Sequence, residues 1–483
     1  MIHKKMILRV LGYLLLIEAG MMLLCSCFSF YFKEDDLLSF LSTAAVTSII
    51  GGILLYWGKG AERKLTRRDG YLIVSLAWIV FSIFGMFPFY LSGYIPDITN
   101  AFFEAMSGVS STGATILDDI ESLPHGLLFW RSLTQWIGGL GIILFTIAVL
   151  PIFGITGVQV FAAEASGPTH EKIHPRIGVT ARWIWTLYIS LTGVATLLLY
   201  MGGMNWFDSI CHALTTTSTG GFSTKQASIA FYNSPYIEYV LSIFMFLSGI
   251  NFTLLLFFIT GRFKKALNDD ELKFYTLCVV ISTLFIASIL YKETQLDAET
   301  AFRTALFQVI SIQTSTGFAT CDYMLWPAVA WGIMPLLMLI GACAGSTSGG
   351  MKCIRLVVLI RSTKTEFKRL LHPNAVLPVR VNNQVIQPTL RFTIMAFSVL
   401  FIIISVVSFL ILLALGLPFM EAFGVVVSSI GNTGPALGAF GPDYSFNALP
   451  DVAKWLSALL MLLGRLELFT VLLIFTPGFW KHH

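Results

Sequence analysis

Apolar residues in this chain gather into long unbroken runs rather than the alternation of half-buried strands or the one-sided stripe of soluble helices. A helix of roughly 20 residues crosses a hydrocarbon core of about 30 Å. The sequence holds about eight to twelve runs of that size between short polar breaks. No long polar segment is left over for a soluble domain. The first run, residues 7–30, contains Glu18 and lacks a small-residue cleavage site, and is read as a retained helix rather than a cleaved leader.

Composition agrees with the pattern. Apolar residues make up 56% of the 483 positions and charged residues 12%, far from soluble averages. The formal charge of +4 is too small to argue for a nucleic-acid partner. Seven cysteines are scattered, with Cys25, Cys27, Cys278 and Cys343 inside apolar runs, and their spacing fits neither a metal site nor a disulfide framework. Membrane lipid is the surrounding the chain calls for.

The basic residues sort by side. When the apolar runs are placed alternately across a bilayer, 23 of the 31 Lys and Arg residues collect on one side, within 4–9, 59–68, 172–182, 262–273 and 355–391 and at 481. Six lie opposite: Lys33, Arg131, Lys225, Lys292, Arg303 and Lys454. The positive-inside rule makes the first side cytoplasmic, with both termini on it. Lys352 and Arg465 fall inside apolar segments.

A fourfold repeat organises the chain. On the outer side the sequence reads EAMSGVSSTGAT, ALTTTSTGGFST, VISIQTSTGFAT and VVSSIGNTGPAL. Aligned on glycine, the shared cores are Ser111-Thr112-Gly113, Ser218-Thr219-Gly220, Ser315-Thr316-Gly317 and Asn432-Thr433-Gly434, with glycines 107, 97 and 117 residues apart. One such triplet means nothing, and small residues also serve close helix packing. Four in matched settings, each after an apolar stretch too short to cross a bilayer, indicate re-entrant half-helices. The expected fold is an all-α membrane protein: four tandem helix–pore loop–helix repeats around one pore, plus an extra N-terminal helix pair. The units are the pair at 1–68 and repeats at 69–178, 179–270, 271–388 and 389–483.

Non-helical backbone at membrane depth is tolerated only where it is buried or lines a water-filled cavity. Four loops around one axis offer rings of carbonyl oxygens that can replace the hydration shell of a monovalent cation such as K+. Glycine permits the positive φ that such a loop needs, and each half-helix directs its negative end towards the ion. No carboxylate lies within the four cores, which argues against a divalent-selective ring of acids. The residues after the aligned glycines differ, being Ala114, Gly221, Phe318 and Pro435, so one glycine per loop is shared and fewer well-defined ion sites are expected.

These motifs resemble the TrkH family, membrane subunits of bacterial Trk K+ uptake systems in the Trk/Ktr/HKT superfamily. The resemblance runs the whole length and includes QWIGGLGI at 135–142, AGSTSGGMK at 344–352, HPNAV at 372–376 and LLGRLELFT at 462–470. It implies K+ ions bound in the filter with no covalent cofactor, and a homodimer in the bacterial inner membrane with one pore per protomer. It also implies control by a cytosolic nucleotide-binding subunit of the TrkA type.

The third repeat carries the sequence GACAGSTSGG at 341–350 in the middle of its post-filter segment, too much glycine for continuous helix. The resemblance makes this a gating loop beneath the filter, with Gly345, Ser346, Thr347, Gly349 and Gly350 as its residues. GSTSGGMK lacks the order of a phosphate-binding loop and sits in an apolar span, so nucleotide binding there is rejected. Lys352 and Arg465 are expected to place positive charge near the pore and limit flux until the loop moves, against the alternative of a structural salt bridge. Glu467, two residues from Arg465, points away from it on a helix. The basic connection at 361–391 is read as a surface for the cytosolic partner in preference to lipid headgroups. The 154–182 connection, with His170 and His174, is read as a solvated loop.

A K+ symporter coupled to H+ or Na+ is the competing transport class, but the repeats are parallel and fourfold and carboxylates within the spans are scarce. An intramembrane enzyme would need a nucleophile with a base or paired acids at one depth. His125 and His212 lie near the outer surface with no evident catalytic partner, so no enzyme is expected.

Overall fold

The computed structural model describes residues 2–60, 66–141 and 177–481, the side chains of 177–180 excepted. Arg63, Lys64, Ile142, Lys172, Arg176, His170 and His174, with most of the 154–182 connection, lie outside the described residues. Six helices among the described residues are long and apolar enough to span a membrane: Lys4–Phe32, Leu37–Trp57, Arg67–Leu91, Ala181–Met201, Asp270–Glu293 and Pro388–Ala414. Two sharply bent pairs bring the number of spans to as many as eight. The protein is a helical membrane protein whose only described strands, Arg380–Val381 and Gln384–Val385, pair as a short antiparallel hairpin. Asn382 and Asn383 turn it with φ of 50° and 62°, the double positive φ that a two-residue hairpin turn requires.

The N-terminal pair, Lys4–Phe32 and Leu37–Trp57, packs along its length. Gly12 and Gly51 face each other at the crossing, where a Cβ on Gly51 would lie 3.1 Å from the Gly12 carbonyl oxygen. Small residues let the two backbones approach where lipid supplies no hydrophobic drive for association.

Each of the four units that follow has a long helix, a short helix, a loop and a returning helix. The short helices are Ile98–Val109, Trp206–Thr217, Ala298–Gln313 and Phe419–Gly431. At 12 to 16 residues they extend roughly 18–24 Å, short of the hydrocarbon core. Three open on a side-chain cap: Asp97, Asn205 and Asp297 accept the N–H of Asn100, Asp208 and Thr300 at 2.8, 2.7 and 3.2 Å. Proline marks the start of every returning helix, at Pro124, Pro235, Pro327 and Pro450. Its missing N–H and fixed φ suit a helix start.

The returning helices are broken not only in the third unit, where a break was expected. In the second unit, Pro235–Ser248 turns by 107° into Phe252–Ile259. In the fourth, Asp451–Arg465 turns by the same 107° into the segment Phe469–Phe475. In the third, Met334–Ile340 ends at Gly341, and Cys353–Leu371 resumes after an irregular stretch. The first, His125–Leu140, ends at Gly141 with φ of 81°. The break in the second unit is built by Asn251, whose Oδ1 accepts the Thr253 N–H at 2.8 Å. The break in the fourth uses Glu467 and Leu468 at φ of 56° and 41°, a conformation non-glycine residues hold only under constraint.

Candidate functional site

The four short helices end alike. After each, one residue turns left-handed: Ser111, Thr219, Ser315 and Asn432, with φ of 53°, 52°, 55° and 53°. The next residue closes a six-to-one bond to the helix. Thr112, Gly220, Thr316 and Thr433 donate their N–H to the carbonyls of Ser107, Thr215, Ser311 and Ser428 at 2.9, 2.9, 2.8 and 3.0 Å. This is a Schellman termination. The residue beyond it is a glycine with positive φ in every case: Gly113 at 85°, Gly221 at 76°, Gly317 at 85° and Gly434 at 97°.

The second loop therefore departs by one residue from the alignment on glycine. Gly220 occupies the position of Thr112, Thr316 and Thr433, while Gly221 occupies that of Gly113, Gly317 and Gly434. Phe222 then corresponds to Phe318. The doubled glycine hid the register in the sequence, and the hydrogen bond to Thr215 decides it.

Close approaches between loops close the four into a ring. A Cβ on Gly113 would overlap the carbonyl oxygen of Gly220; on Gly221, that of Thr316; on Gly317, that of Thr433. On Gly434 it would stand 2.7 Å from that of Thr112, which completes the circuit in chain order. Gly113, Gly221, Gly317 and Gly434 all line one concave opening, together with Ala114, Thr115, Arg131, Phe222 and Lys225. Any side chain at these glycines would have to displace the backbone of the neighbouring loop.

Buried polar side chains hold the ring from behind. Gln135 donates from Nε2 to the Gly220 carbonyl at 2.7 Å and accepts the Phe222 N–H at 3.0 Å, so it clasps both sides of the second loop. Arg131, 1% exposed, is ion-paired to Glu104 at 2.8 Å, donates to the Ser223 carbonyl at 3.1 Å and stacks over Phe222 at 4.0 Å. Glu104 in turn accepts from Thr115 Oγ1 and the Ile116 N–H, each at 3.0 Å. The Asn432 amide ties loop four to loop one through Thr112 Oγ1 at 2.9 Å. Ser311 and Ser428 donate to the Phe318 and Gly434 carbonyls at 2.6 and 2.7 Å.

The irregular stretch of the third unit sits against the ring on the side away from the opening. Thr347 Oγ1 is 3.2 Å from Thr219 Oγ1 and donates to the carbonyls of Thr217 and Ser248 at 3.2 Å. Ser348 Oγ and the Gly349 N–H meet Ser315 Oγ at 3.1 and 2.6 Å. A Cβ on Gly349 would overlap Gly431. Gly341, Gly345 and Gly350 have φ of 69°, 73° and 75°. Ser346 Oγ turns inward to the Cys343 carbonyl at 2.6 Å.

Both expected cations reach this stretch. Lys352, 7% exposed, donates to the Ser348 carbonyl. Arg465 donates to the carbonyls of Thr347, Gly138 and Gly139, the second at 2.6 Å, and so joins the stretch to the end of the first returning helix. Glu467 pairs with Arg355 at 2.5 Å. Arg355, counted among the cytoplasmic basic residues, is buried over the Phe397 ring at 3.9 Å.

His212 bridges the Asp208 carbonyl at 2.8 Å and Ser223 Oγ at 2.9 Å. The Asp208 carboxylate is turned to Thr224 and Tyr232, at 2.6 and 3.0 Å, so no carboxylate lines up behind the imidazole. His125 is held by Glu34 at 2.7 Å. His125 is thus held at the start of its helix, and His212 ties its short helix to the loop that follows. All seven cysteines are free thiols.

Gly221, Gln135, Glu104, Arg355 and the helix breaks at 249–251 and 466–468 were not singled out from the sequence. QWIGGLGI and LLGRLELFT, carrying Gln135 and Glu467, were the available signals.

A membrane-spanning helical protein with four re-entrant loops meeting in one ring, and an unwound segment seated against that ring, belongs to the class of membrane channels and transporters. The TrkH family, described as cation transport protein, matches residues 37–481. The Trk system potassium uptake protein TrkH of Salmonella typhimurium is 37% identical over 492 aligned positions, covering 99% of this chain and 100% of that protein. TrkG of Escherichia coli K12, also a Trk system potassium uptake protein, is 35% identical with 99% of each chain covered. The crystal structure of the potassium transporter TrkH from Vibrio parahaemolyticus superposes with a TM-score of 0.89 at 34% identity, again over 99% of each chain. The chain belongs to the TrkH family of cation transport proteins.

Proposed function

We propose that the chain is the K+-conducting membrane subunit of a Trk-type uptake system, with the four-loop ring as its selectivity filter. The observation that carries this reading is the circuit of contacts from Gly113 through Gly221, Gly317 and Gly434 back to Thr112, in which backbone carbonyls and glycines recur and carboxylates do not. Backbone carbonyls suit a dehydrated monovalent ion. Four half-helix C-termini add negative potential from the same side. The filter comprises Ser111, Thr112, Gly113, Thr219, Gly220, Gly221, Ser315, Thr316, Gly317, Asn432, Thr433 and Gly434, with Ser218 as the preceding helix cap. The relatives' names as potassium uptake proteins support the choice of ion.

The stretch at 341–352 is the gate in this reading. It is braced on loops two, three and four, and Arg465 ties it to the first returning helix. Lys352 and Arg465 set positive charge beneath the filter and oppose cation passage until the stretch withdraws. Both termini are cytoplasmic by the distribution of basic residues, in a bacterial inner membrane. The 361–391 connection, with its hairpin, receives a cytosolic regulatory subunit of the TrkA type, and the working assembly is a homodimer.

K+ and Na+ flux through the purified protein in liposomes, at a set voltage and without a proton gradient, tests the reading. Passive flux favouring K+ is the expected result. Flux that arises only with an imposed H+ or Na+ gradient would overturn it in favour of coupled transport.

A further inference from the structure

Glu271 stands one residue inside the long helix that opens the third unit, buried to 3% exposure. Its Oε1 accepts two backbone N–H groups from opposite ends of the unwound stretch: that of Ala344 at 2.6 Å and that of Ile354 at 3.0 Å. One side-chain oxygen accepting both amides fixes the two donors relative to each other and to the helix that carries Glu271. The two donors are ten positions apart in sequence, with the glycines at 345, 349 and 350 between them.

The residues just before Glu271 are clasped from the cytoplasmic hairpin. The Asp270 carboxylate accepts the Asn382 N–H at 2.6 Å and pairs with Arg361 at 2.7 Å. The Asp269 carboxylate accepts the Asn382 amide at 2.7 Å, and Asn382 Oδ1 accepts the Asp270 N–H at 2.7 Å. Arg361 also donates to the Arg380 carbonyl at 2.7 Å. The hairpin, the helix start and both ends of the stretch thus form one continuous chain of contacts.

We propose that Glu271 is the latch of the 341–352 stretch: a positioning residue that fixes both its ends and couples them to the cytoplasmic hairpin. The inference rests on that stretch being the gate. Withdrawal of the stretch must part Ala344 or Ile354 from Oε1. Movement of the hairpin shifts Asp269 and Asp270, and with them the acceptor.

Cys343 and Cys353, both fully buried, flank the two donors and report release of the stretch independently of ion flux. In the full-length protein with Cys25, Cys27, Cys211, Cys278 and Cys321 replaced by serine, the rate of modification by methyl methanethiosulfonate is measured. Glu271→Ala should raise that rate about tenfold or more, as loss of the two acceptor bonds shifts local opening. Glu271→Gln keeps an acceptor oxygen at the same reach and should stay within about twofold of the parent. Glu271→Asp keeps the carboxyl group but withdraws the acceptor by one methylene, and should behave like alanine; it serves if the alanine variant fails to insert. Unchanged rates in Glu271→Ala and Glu271→Asp, or an equal rise in Glu271→Gln, would overturn the latch. A raised modification rate with unchanged basal K+ flux would uphold the latch and overturn the stretch as the obstruction.

Discussion

Gly220 and Gly221 are adjacent, chemically identical and expected to respond differently to alanine. At Gly221 the φ of 76° disfavours any side chain, and the new Cβ would overlap the Thr316 carbonyl of the third loop. Held backbone strain of this kind costs about 1–3 kcal/mol. Spent against one arrangement of the ring, that is about 5- to 150-fold in an equilibrium. Gly221→Ala should therefore lower the K+/Na+ permeability ratio by about fivefold or more. At Gly220 the backbone is ordinary, and the atoms nearest a Cβ are the end of the Gln135 side chain. Gln135 must then give up its bonds to the Gly220 carbonyl and the Phe222 N–H, about 1 kcal/mol each. The effect of Gly220→Ala is transmitted through Gln135 and should vanish when that residue is already alanine. Permeability ratios measured in liposomes for each glycine variant, with and without Gln135→Ala, separate the two routes. Selectivity that collapses for Gly220→Ala in both backgrounds while Gly221→Ala is silent would refute the register of the second loop.

The Arg131–Glu104 pair is fully buried, so Arg131→Met leaves a carboxylate without its counter-charge and should cost about 3–5 kcal/mol. Thermal melting in detergent should show a clear fall, partly recovered by adding Glu104→Gln; melting at the parent temperature would contradict the assignment. Gly51→Leu forces apart the crossing with Gly12 and should destabilise by about 1–3 kcal/mol. The N-terminal pair lies outside the ring, so the K+/Na+ ratio of that variant should equal the parent's, and a changed ratio would show that the pair shapes the filter. Arg465→Gln removes the charge that binds the Thr347, Gly138 and Gly139 carbonyls. Basal K+ flux without any cytosolic partner should rise in Arg465→Gln and in Lys352→Met, and unchanged flux in both would reduce the two cations to structural roles.

Local constraints are written along the chain, and the sequence by itself determined everything that rests on them. Long apolar runs became spans because unpaired backbone is costly in lipid. The short apolar stretches before Ser111, Ser315 and Asn432 ended as half-helices because too few residues were available to cross. Four small-residue loops were legible because each carries a glycine where the chain has positive φ and runs against the backbone of the neighbouring loop. The unwinding at 341–352 could be read from its glycines.

Tertiary structure decided what depends on distant partners. Two consecutive glycines left the second loop's register open until Thr215, Gln135 and Thr316 fixed it. Glu467 and Leu468 hold left-handed conformations that no residue preference announces, so the bend after Arg465 had no local signature. Arg355 reads as one more cytoplasmic cation, yet it is buried against Glu467 and Phe397 from another repeat. Glu271 reads as an ordinary first-turn carboxylate, favourable at any helix N-terminus. Only the fold brings to it two N–H groups 73 and 83 residues away, because hydrogen-bond geometry across such separations is set by how helices pack.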